Sequence, residues 1–442
     1  MSYTAAIDEL KAMVPELYTG AGQPRHKFSL EEIRVLLGDL GDPQRRFAAV
    51  LIAGTNGKGS TAATLASILT AAGLRTGLYT SPHLARANER IRLGSAEIGD
   101  EDFARLFFRV LNAAHRLLSE GRLPQLPSYF EILTAQAFLY FAEAGAEIAV
   151  LEVGIGGRLD ATNVVEPVLS VITDISLDHQ EWLGKTIGEI AREKAGILRA
   201  NGTLITLPQH PEANEVLGEV AMELGVRAVS AVPYMPGGGA PAGAYTVAAL
   251  GERVEVDSPL KGGHQHRNLA LAIAAAVELG ERRGFKMTAA AIEGGIRQTR
   301  WPGRLERISR DGVEWILDVA HNPAGAWALR AGLRSLLGDE RPRCLIFSCL
   351  RDKPVAEMAR ILFPLFEDVI LVPIHSARAA AVEDLLGAAR LTGTRTAAAE
   401  SVSEALRMAE ERAAGSAVVV SGSVYLVGEA RTLLMNGTRG EP

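Results

Sequence analysis

The sequence predicts an α/β protein in which a P-loop-containing, parallel-sheet ATPase-type domain precedes a smaller Rossmann-like α/β domain. The first observation is an apolar strand pattern at 47–52 that runs through a glycine-rich turn into a helical pattern at 61–69. The second is the alternation of strand and helix patterns along the chain, which is typical of parallel sheets. The third is the Trp-Pro-Gly-Arg segment at 301–304, after which new strands begin. We therefore expect one domain at 1–299 and another at 300–442.

The glycine-rich turn has the composition of a phosphate-binding loop. Its glycines allow backbone N–H groups to close around a polyphosphate, and its lysine can reach the β- and γ-phosphates as a point charge. Its serine hydroxyl suits a Mg²⁺ ion. A glycine between the lysine and the serine departs from G-x-x-x-x-G-K-[ST], so a plain glycine-rich turn is the alternative. The predicted nucleotide-binding residues here are Gly54, Thr55, Asn56, Gly57, Lys58, Gly59 and Ser60.

The composition is that of an ordinary globular protein. The chain has 442 residues, of which 48% are hydrophobic and 22% charged, enough for two cores. A formal net charge of -6 disfavours non-specific nucleic-acid binding. Cys344 and Cys349 share one apolar run, which predicts neither a disulfide framework nor a metal site. Because no apolar run approaches the roughly 20 residues that span a bilayer, and no signal segment is visible, we expect a cytoplasmic monomer without membrane or nucleic-acid partners.

Polar residues follow the predicted strands at the edge where parallel sheets bind ligands. The strand at 76–80 leads into the Ser-Pro-His segment at 81–83, for which a plain turn is the alternative. The strand at 148–153 ends near Glu152, whose carboxylate, if buried, needs a metal ion or a lysine as its partner. The glycine-rich segment 154–163 partly matches a dinucleotide-binding fingerprint, but no helical pattern follows it.

Helical patterns cover 101–119 and 128–141, and the second includes Glu131, either as an exposed charge or as a functional group. The strand at 168–173 precedes an Asp-His pair, and the helix at 188–198 contains a lysine. Further alternation to about residue 285 predicts completion of a parallel sheet. Five side chains could then converge on a metal site at one edge of that sheet: Ser60, Ser81, Glu152, His179 and Lys194.

The second domain repeats this pattern of strands that end in polar residues. Near the end of the predicted first domain, the segment 264–268 precedes an alanine-rich helix and could either contact a ligand or cap that helix. A strand at 315–320 carries Asp318 and leads to His321. Further strands are predicted at 344–347, 369–372 and 417–420, and the last of them leads into Ser423.

Taken together, these motifs resemble the folylpolyglutamate synthases, including the bifunctional dihydrofolate synthase/folylpolyglutamate synthases, of the Mur ligase superfamily. The resemblance covers nearly the whole chain, and it is specific because the motifs occur in this order and at these separations. They are Gly54 to Ser60, Ser81 to Leu84, Tyr129 to Glu131, Glu152 to Asn163, Asp178-His179 with Trp182 to Gly184, Arg192 to Gly196, His264-Gln265 with Asn268, Trp301 to Arg304 and Asp318 to Pro323.

The resemblance implies an ATP-dependent amide ligase. ATP would phosphorylate a folate or dihydropteroate carboxylate to an acyl phosphate, which the amine of L-glutamate would attack. Lys58 and the loop glycines would hold the ATP phosphates. Ser60 and Glu152 would bind one Mg²⁺, and Ser81, Glu152 and His179 would help bind a second. A monovalent cation is a further candidate cofactor.

The resemblance also implies a carbamylated lysine at Lys194, since a carbamate offers Mg²⁺ anionic oxygen ligands that an ammonium lacks. An unmodified Lys194 that pairs with a phosphate is the alternative. In the second domain, Arg304 would contact phosphate, Asp318 the ribose, and His321 the reacting groups. Asn268 is the adenine candidate, and His321 and Ser423 are the glutamate candidates.

The candidate pteroate-binding residues are Pro82, His83, Phe130, Asp160 and Ala161. The form of the 159–162 loop resembles that of bifunctional members, so we expect activity with dihydropteroate as well as with reduced folates. One alternative is a UDP-muramoyl amino-acid ligase, although fewer than 50 residues precede the phosphate-binding loop's strand. The other is a P-loop NTPase without ligase activity, which leaves Glu152, His179 and Lys194 without a shared role.

Overall fold

The computed structural model describes residues 2–13, 29–237, 243–338, 342–413 and 415–436. The chain separates into two compact units, each with its own sheet. The first unit comprises Met1–His83, Ala87–Asp257 and Arg267–Thr299. The second comprises Leu84–Arg86, Ser258–His266 and Arg300–Pro442.

An eight-stranded sheet forms the centre of the first unit, in the order β4-β3-β2-β5-β1-β6-β7-β8. Six neighbouring strands, from β2 to β8 in that order, are parallel, which confirms the predicted parallel sheet. The strands are β1 Ala48–Ala53, β2 Thr76–Tyr79, β3 Ile91–Leu93, β4 Ala96–Glu97, β5 Ile148–Glu152, β6 Pro167–Ile172, β7 Thr203–Thr206 and β8 Arg227–Ser230. The central strands are buried on both faces, which explains their continuous apolar runs.

The first unit also contains antiparallel strands at two places. At one edge, β3 and β4 add antiparallel strands to the sheet. A separate antiparallel hairpin is formed by β9 (Tyr245–Ala249) and β10 (Glu252–Val256). Its two-residue turn places Leu250 and Gly251 at φ 53° and 75°, the backbone form that matches the twist of a tight hairpin.

Helices cover both faces of the first sheet. They are α1 Tyr3–Ala12, α2 Glu31–Asp39, α3 Lys58–Ala71, α4 Asp100–Ser119, α5 Tyr129–Glu143, α6 Gln180–Leu183, α7 Ile187–Ala195, α8 Pro211–Glu223, α9 Gly263–Arg283 and α10 Ala289–Gln298. Helix α5 begins with a reciprocal cap, in which the Ser128 N–H donates to Glu131 Oε2 at 2.8 Å and the Glu131 N–H donates to Ser128 Oγ at 3.3 Å. Glu131 is therefore a buried capping residue, and its interpretation as an exposed charge was wrong.

The second unit has a six-stranded sheet in the order β11-β12-β16-β13-β14-β15, parallel except for β11. Its strands are β11 Glu306–Arg310, β12 Val313–Asp318, β13 Cys344–Phe347, β14 Asp368–Leu371, β15 Arg395–Ala398 and β16 Val418–Ser421. Its helices are α11 Pro323–Leu337, α12 Val355–Leu362, α13 Val382–Arg390, α14 Val402–Ala413 and α15 Val424–Asn436. This arrangement confirms the predicted Rossmann-like unit.

The two cysteines are buried free thiols in this second sheet region. Burial raises the pKa of Cys344 and that of Cys349 to about 12 each, so both side chains act as small apolar groups. Within the described ranges, no helix is long and apolar enough to cross a membrane.

Candidate active site

The predicted phosphate-binding loop connects the carboxyl end of β1 to the first turn of α3. Two of its glycines are required by geometry. Gly54 has φ +150°, and a Cβ there would overlap the Thr173 hydroxyl. Gly57 has φ +89°, and a Cβ there would overlap the Asn268 side-chain amide. Because both positions combine a positive φ with a close neighbour, only glycine fits them.

The loop is fixed by the chain that follows β6. The N–H groups of Thr55 and Asn56 both donate to the Asp174 carbonyl, at 2.8 and 3.2 Å. The Thr55 hydroxyl donates to the Ser176 carbonyl at 3.0 Å. The Arg267 guanidinium in turn holds the Asp174 carboxylate with contacts of 2.6 to 3.0 Å. The first intrahelical bond of α3 runs from the Thr61 N–H to the Gly57 carbonyl. The N–H groups before it are the candidate anion-binding groups of the loop.

Two lysines converge on one carbonyl oxygen of this loop. Lys58 Nζ donates to Gly54 O at 3.1 Å and to Thr55 O at 3.2 Å. Lys194 Nζ, from helix α7, donates to the same Gly54 O at 2.9 Å. Lys194 is only 3% exposed. Burial and the neighbouring Lys58 charge lower the pKa of Lys194 to about 7, so a substantial fraction of its side chain is a neutral amine near neutral pH.

Glu152 ends β5 at the same edge of the sheet. It pairs in register with Ile52 of β1, just before the loop, and is buried. Its Oε2 accepts the N–H of Ser81 at 3.1 Å, which joins two of the predicted metal ligands. Ser60 lies buried in the first turn of α3.

His179 directly precedes the short helix α6 with φ +50°, and its N–H donates to the Asp178 carboxylate at 2.9 Å. In the part of the chain that the structure describes, no three His, Cys, Asp or Glu side chains form a metal cluster. A Mg²⁺ ion needs no such cluster, since it keeps waters and binds through one or two carboxylates together with substrate phosphates. The buried carboxylate of Glu152 beside the loop and the hydroxyl of Ser60 fit that requirement.

Two of the candidate pteroate residues, Phe130 and His83, make contacts close to β2. The rings of Tyr79 and Phe130 lie 5.8 Å apart, and the Phe130 ring packs against Gly154, where a Cβ would overlap it. His83 accepts a hydrogen bond at Nδ1 from Arg90 Nε at 2.8 Å. Burial and the Arg90 charge lower the pKa of His83 to about 3, so His83 is neutral with its proton on Nε2.

Asp160 is buried, and its carboxylate is used by its own loop. Its Oδ2 accepts the Ile155 N–H at 2.9 Å. Its Oδ1 accepts the Thr162 N–H at 3.0 Å and the Thr162 hydroxyl at 2.5 Å. Burial raises the pKa of Asp160, and these hydrogen bonds oppose that rise. The carboxylate caps the 3-10 turn Ala161–Val164, which positions Ala161.

In the second unit, Asp318 ends β12 as a buried carboxylate. It accepts the N–H groups of Leu305 and Ala320, both at 2.9 Å. Burial raises the pKa of Asp318, while the charges of His264 and Arg304 act in the opposite direction. An imidazole and a guanidinium therefore lie near one carboxylate at the carboxyl edge of the second sheet.

The two predicted glutamate residues occupy this edge as well. His321 Nδ1 donates to the Val319 carbonyl at 2.9 Å, which leaves Nε2 as the acceptor of the neutral ring. Ser423 is buried after β16, and its hydroxyl accepts the Tyr425 N–H at 3.2 Å at the start of α15.

Two family models match the chain, the Mur ligase middle domain over residues 52–276 and the Mur ligase, glutamate ligase domain over 303–424. The folylpolyglutamate synthase of Lacticaseibacillus casei is 35% identical over 416 residues, covering 92% of this chain and 94% of that protein. The dihydrofolate synthase/folylpolyglutamate synthase of Bacillus subtilis is 34% identical over 421 residues, covering 92% and 95%. This chain belongs to the folylpolyglutamate synthase family of Mur ligases.

Solved structures of folylpolyglutamate synthases share the fold of this family member. Mycobacterium tuberculosis folylpolyglutamate synthase complexed with ADP superposes with a TM-score of 0.87 at 33% identity, covering 100% of this chain and 99% of the other. Escherichia coli FolC in complex with DHPP and ADP gives 0.83 at 29% identity, covering 99% and 98%. The predicted family and fold class are thereby confirmed. The UDP-muramoyl ligase and the simple NTPase were the wrong alternatives, since the relatives are folylpolyglutamate and dihydrofolate synthases.

For this folylpolyglutamate synthase family member, the sequence indicated most of the polar residues at the carboxyl edge of the first sheet. It did not indicate several residues that bond to them and fix their positions. The loop, Lys194 and the linked pair Ser81 and Glu152 lie at one edge of the first sheet. Asp174 and Arg90 were not anticipated, although Asp174 directly follows a predicted strand and could have been found by that position. No local pattern marks Arg90, because its contact with His83 is set by the pairing of β2 with β3. The ligand roles of the predicted residues stay predictions.

Proposed function

We propose that this protein is an ATP-dependent ligase that adds L-glutamate to the carboxylate of dihydropteroate or of a reduced folate. The observation that carries the proposal is the convergence of Lys58 and Lys194 on the Gly54 carbonyl, at the sheet edge that also holds Glu152. Binding and hydrolysis of a nucleotide alone do not require a second, buried lysine such as Lys194 beside the loop. Membership of the folylpolyglutamate synthase family supports the same chemistry.

ATP binds, in this proposal, with its phosphates on the N-terminal N–H groups of α3. Those groups and the positive end of the helix favour an anion. Lys58 exchanges its two backbone carbonyl partners for phosphate oxygens, and this exchange requires only a rotation of the Lys58 side chain. Asn268, which packs against Gly57, is the proposed adenine contact.

Mg²⁺ would be held by Ser60 and Glu152 at one site and by Ser81, Glu152 and His179 at the other. Bound there, it would neutralise the phosphate charge that otherwise opposes the attack of an anionic carboxylate. Lys194 is the proposed carbamylation site. The neutral amine attacks CO₂ and loses a proton, and burial favours the neutral amine here. The resulting carbamate gives the lysine anionic oxygens as metal ligands.

The acceptor carboxylate attacks the γ-phosphorus of ATP, forming an acyl phosphate and ADP. The amine of L-glutamate then adds to the acyl carbon, and phosphate leaves from the tetrahedral intermediate. We assign glutamate binding to His321 and Ser423 of the second unit, and nucleotide contacts to Arg304 and Asp318. His321 Nε2, as an acceptor, is suited to take a proton from the attacking amine.

The acceptor site is assigned to the cluster of Pro82, His83 and Phe130 with the 160–161 turn. We infer that both dihydropteroate and reduced folates are accepted, on the form of the 159–162 loop. A second Mg²⁺ site, a monovalent cation, a monomeric state and a cytoplasmic location remain predictions of the same proposal.

The experiment is phosphate release with ATP, Mg²⁺ and L-glutamate, with dihydropteroate and tetrahydrofolate compared as acceptors. Release with both acceptors, and only when glutamate is present, is the expected result. Release with tetrahydrofolate alone would restrict the enzyme to polyglutamylation. Acceptor-independent release would refute the ligase. Lys58→Ala should lower turnover by at least about 100-fold, whereas Lys185→Ala, an exposed lysine of the same unit, is the matched neutral control.

A further inference from the structure

Arg90 is a buried cation without an anionic partner among the described residues. It is 7% exposed. Its Nε donates to the neutral His83, and its guanidinium lies 5.3 Å from the centre of the Tyr129 ring. These are its side-chain contacts in the described ranges, and none of them is a carboxylate. Its neighbour Arg92, by contrast, pairs with Glu97 at 3.3 Å.

A buried guanidinium without a counter-ion is an unusual arrangement. Removing an ion from water is strongly unfavourable unless an opposite charge and hydrogen bonds compensate. An aromatic face and a neutral imidazole compensate only in part. The remaining donors of the guanidinium fork suit one planar anion with two oxygens, such as a carboxylate.

The position of Arg90 connects this cation with the reacting edge. Arg90 precedes β3, and its carbonyl accepts the Thr80 N–H at 3.0 Å. The next residue, Ser81, donates its N–H to Glu152. On the other side, the Arg90 side chain contacts His83 and Tyr129, which lie in the two segments that supply candidate acceptor residues. Arg90 is therefore tied by its backbone to the segment that bonds Glu152 and by its side chain to the candidate acceptor segments.

We propose that Arg90 binds the reacting carboxylate of the acceptor substrate and holds it for phosphorylation. This inference rests on the proposed ligase function and adds to it the group that recognises the acceptor's charge. A carboxylate and the γ-phosphate of ATP repel each other, and a fixed cation beside the carboxylate reduces that repulsion. The permanently charged arginine keeps this role across the pH range in which lysine and histidine titrate.

The test compares two ligands that differ only in this carboxylate. Dissociation constants are measured by titration calorimetry for dihydropteroate and for its analogue with hydrogen in place of the benzoate carboxylate. The full-length wild-type protein should bind dihydropteroate roughly 10- to 100-fold more tightly, the range for a buried charge-assisted hydrogen bond. Arg90→Gln should lose most of that preference while binding the analogue as the wild type does.

Arg92→Gln is the matched control, since it removes a paired arginine only two residues further along the chain, and it should keep the preference. Arg90→Lys, which retains the charge but not the fork, should fall between wild type and Arg90→Gln. If Arg90→Gln fails to fold, the ligand preference of Arg90→Lys replaces it as the test. Equal binding of both ligands by the wild type would overturn the proposal without any variant. So would a loss in Arg90→Gln that is the same for both ligands, because Arg90 would then contact the pteridine or only support the fold.

The outcomes separate this proposal from the ligase function itself. Normal glutamate-dependent phosphate release without a carboxylate preference would leave the ligase intact and reject the role of Arg90. Binding of neither ligand, with no release from either acceptor, would overturn both.

Discussion

Lys194 shows most clearly how one residue's surroundings determine its chemistry. A lysine that is buried beside a second lysine is disfavoured as an ammonium, for reasons of desolvation and like charge. An ordinary lysine with a pKa of 10.5 has about one neutral amine in three thousand at pH 7. With a pKa of about 7, Lys194 has about half of its side chains neutral there. The sequence could indicate this lysine through its motif, but its burial is a property of the packed α7 helix.

The first prediction concerns carbamylation of Lys194. Lys194→Ala should abolish ligase turnover, because the anionic metal ligands are lost, and short carboxylates such as formate or acetate should restore part of it. Phosphate release at several carboxylate concentrations is the measurement. Arg192→Ala, an exposed residue on the same helix, is the control and should need no rescue. Full activity of Lys194→Ala without added carboxylate would reject the role.

The second prediction concerns the pH dependence of stability in the unmodified protein. Between about pH 7 and 10.5 the unfolded chain keeps a proton on Lys194 that the folded chain has lost. The unfolded state then binds more protons, so this residue makes the free energy of unfolding rise with pH across that window. Urea unfolding under CO₂-free conditions should show a rise in wild type that Lys194→Met lacks. An equal pH dependence in both proteins would mean that the lysine is not buried as an amine.

The third prediction concerns Asp160, whose motif suggests an acceptor contact but whose carboxylate accepts three hydrogen bonds from its own loop. Asp160→Ala should cost about 1–3 kcal/mol of stability and should lower activity with dihydropteroate and tetrahydrofolate to a similar extent. Thr162→Val, which removes only one of those bonds, should have a smaller effect in the same direction. Selective loss of dihydropteroate activity at unchanged stability would instead identify Asp160 as a substrate contact.

At the scale of elements, the strands that the sequence predicts are those with long apolar runs. β1, β5 and β6 are buried on both faces, so their apolar runs are continuous and visible without neighbours. The edge strands β11 and β15 are short and mix partly buried with exposed residues. They therefore lack a long apolar run that would reveal them in the sequence. Glu131 is a different kind of miss, because Ser128 and Glu131 form a capping box, which is a local sequence pattern.

The fourth prediction concerns the loop as an element. Gly54→Ala should destabilise the protein by about 1–3 kcal/mol more than Gly243→Ala and should abolish nucleotide binding. Gly243 has a similarly positive φ, 159°, with nothing near its missing Cβ, so it controls for backbone strain alone. Thermal unfolding and binding of an ATP analogue are the measurements. Equal effects of the two substitutions would show that contact with Thr173 does not restrict the loop.

At the scale of the whole molecule, residues far apart in sequence hold the site together. The loop at 54–57 is held by 174–176, and Asp174 is held by Arg267. Two short segments, Leu84–Arg86 and Ser258–His266, cluster with the second unit although the first unit surrounds them in sequence. Local patterns supply the strands and the loop, but such long-range anchors follow only from the topology, which is why the motifs were found and their supports were not.

The fifth prediction uses this organisation to ask which parts of the chain respond to a nucleotide. Hydrogen exchange is followed in the full-length protein with and without Mg²⁺ and a non-hydrolysable ATP analogue. Protection is expected at 54–61 and at 174–176, because phosphate binding would hold the loop on its anchor. It is also expected at 303–306 and 318–322, since Arg304 and Asp318 are assigned to the nucleotide.

Lys58→Ala should show little protection at the same analogue concentration, which separates binding from a non-specific effect of the ligand. No protection at 54–61 in wild type would reject the phosphate-binding role of the loop. Protection confined to the first unit would retain that role and remove Arg304 and Asp318 from the nucleotide site. In that case the Arg304 guanidinium near Asp318 would have to bind another anion, and the carboxylates of glutamate would be the next candidates to test.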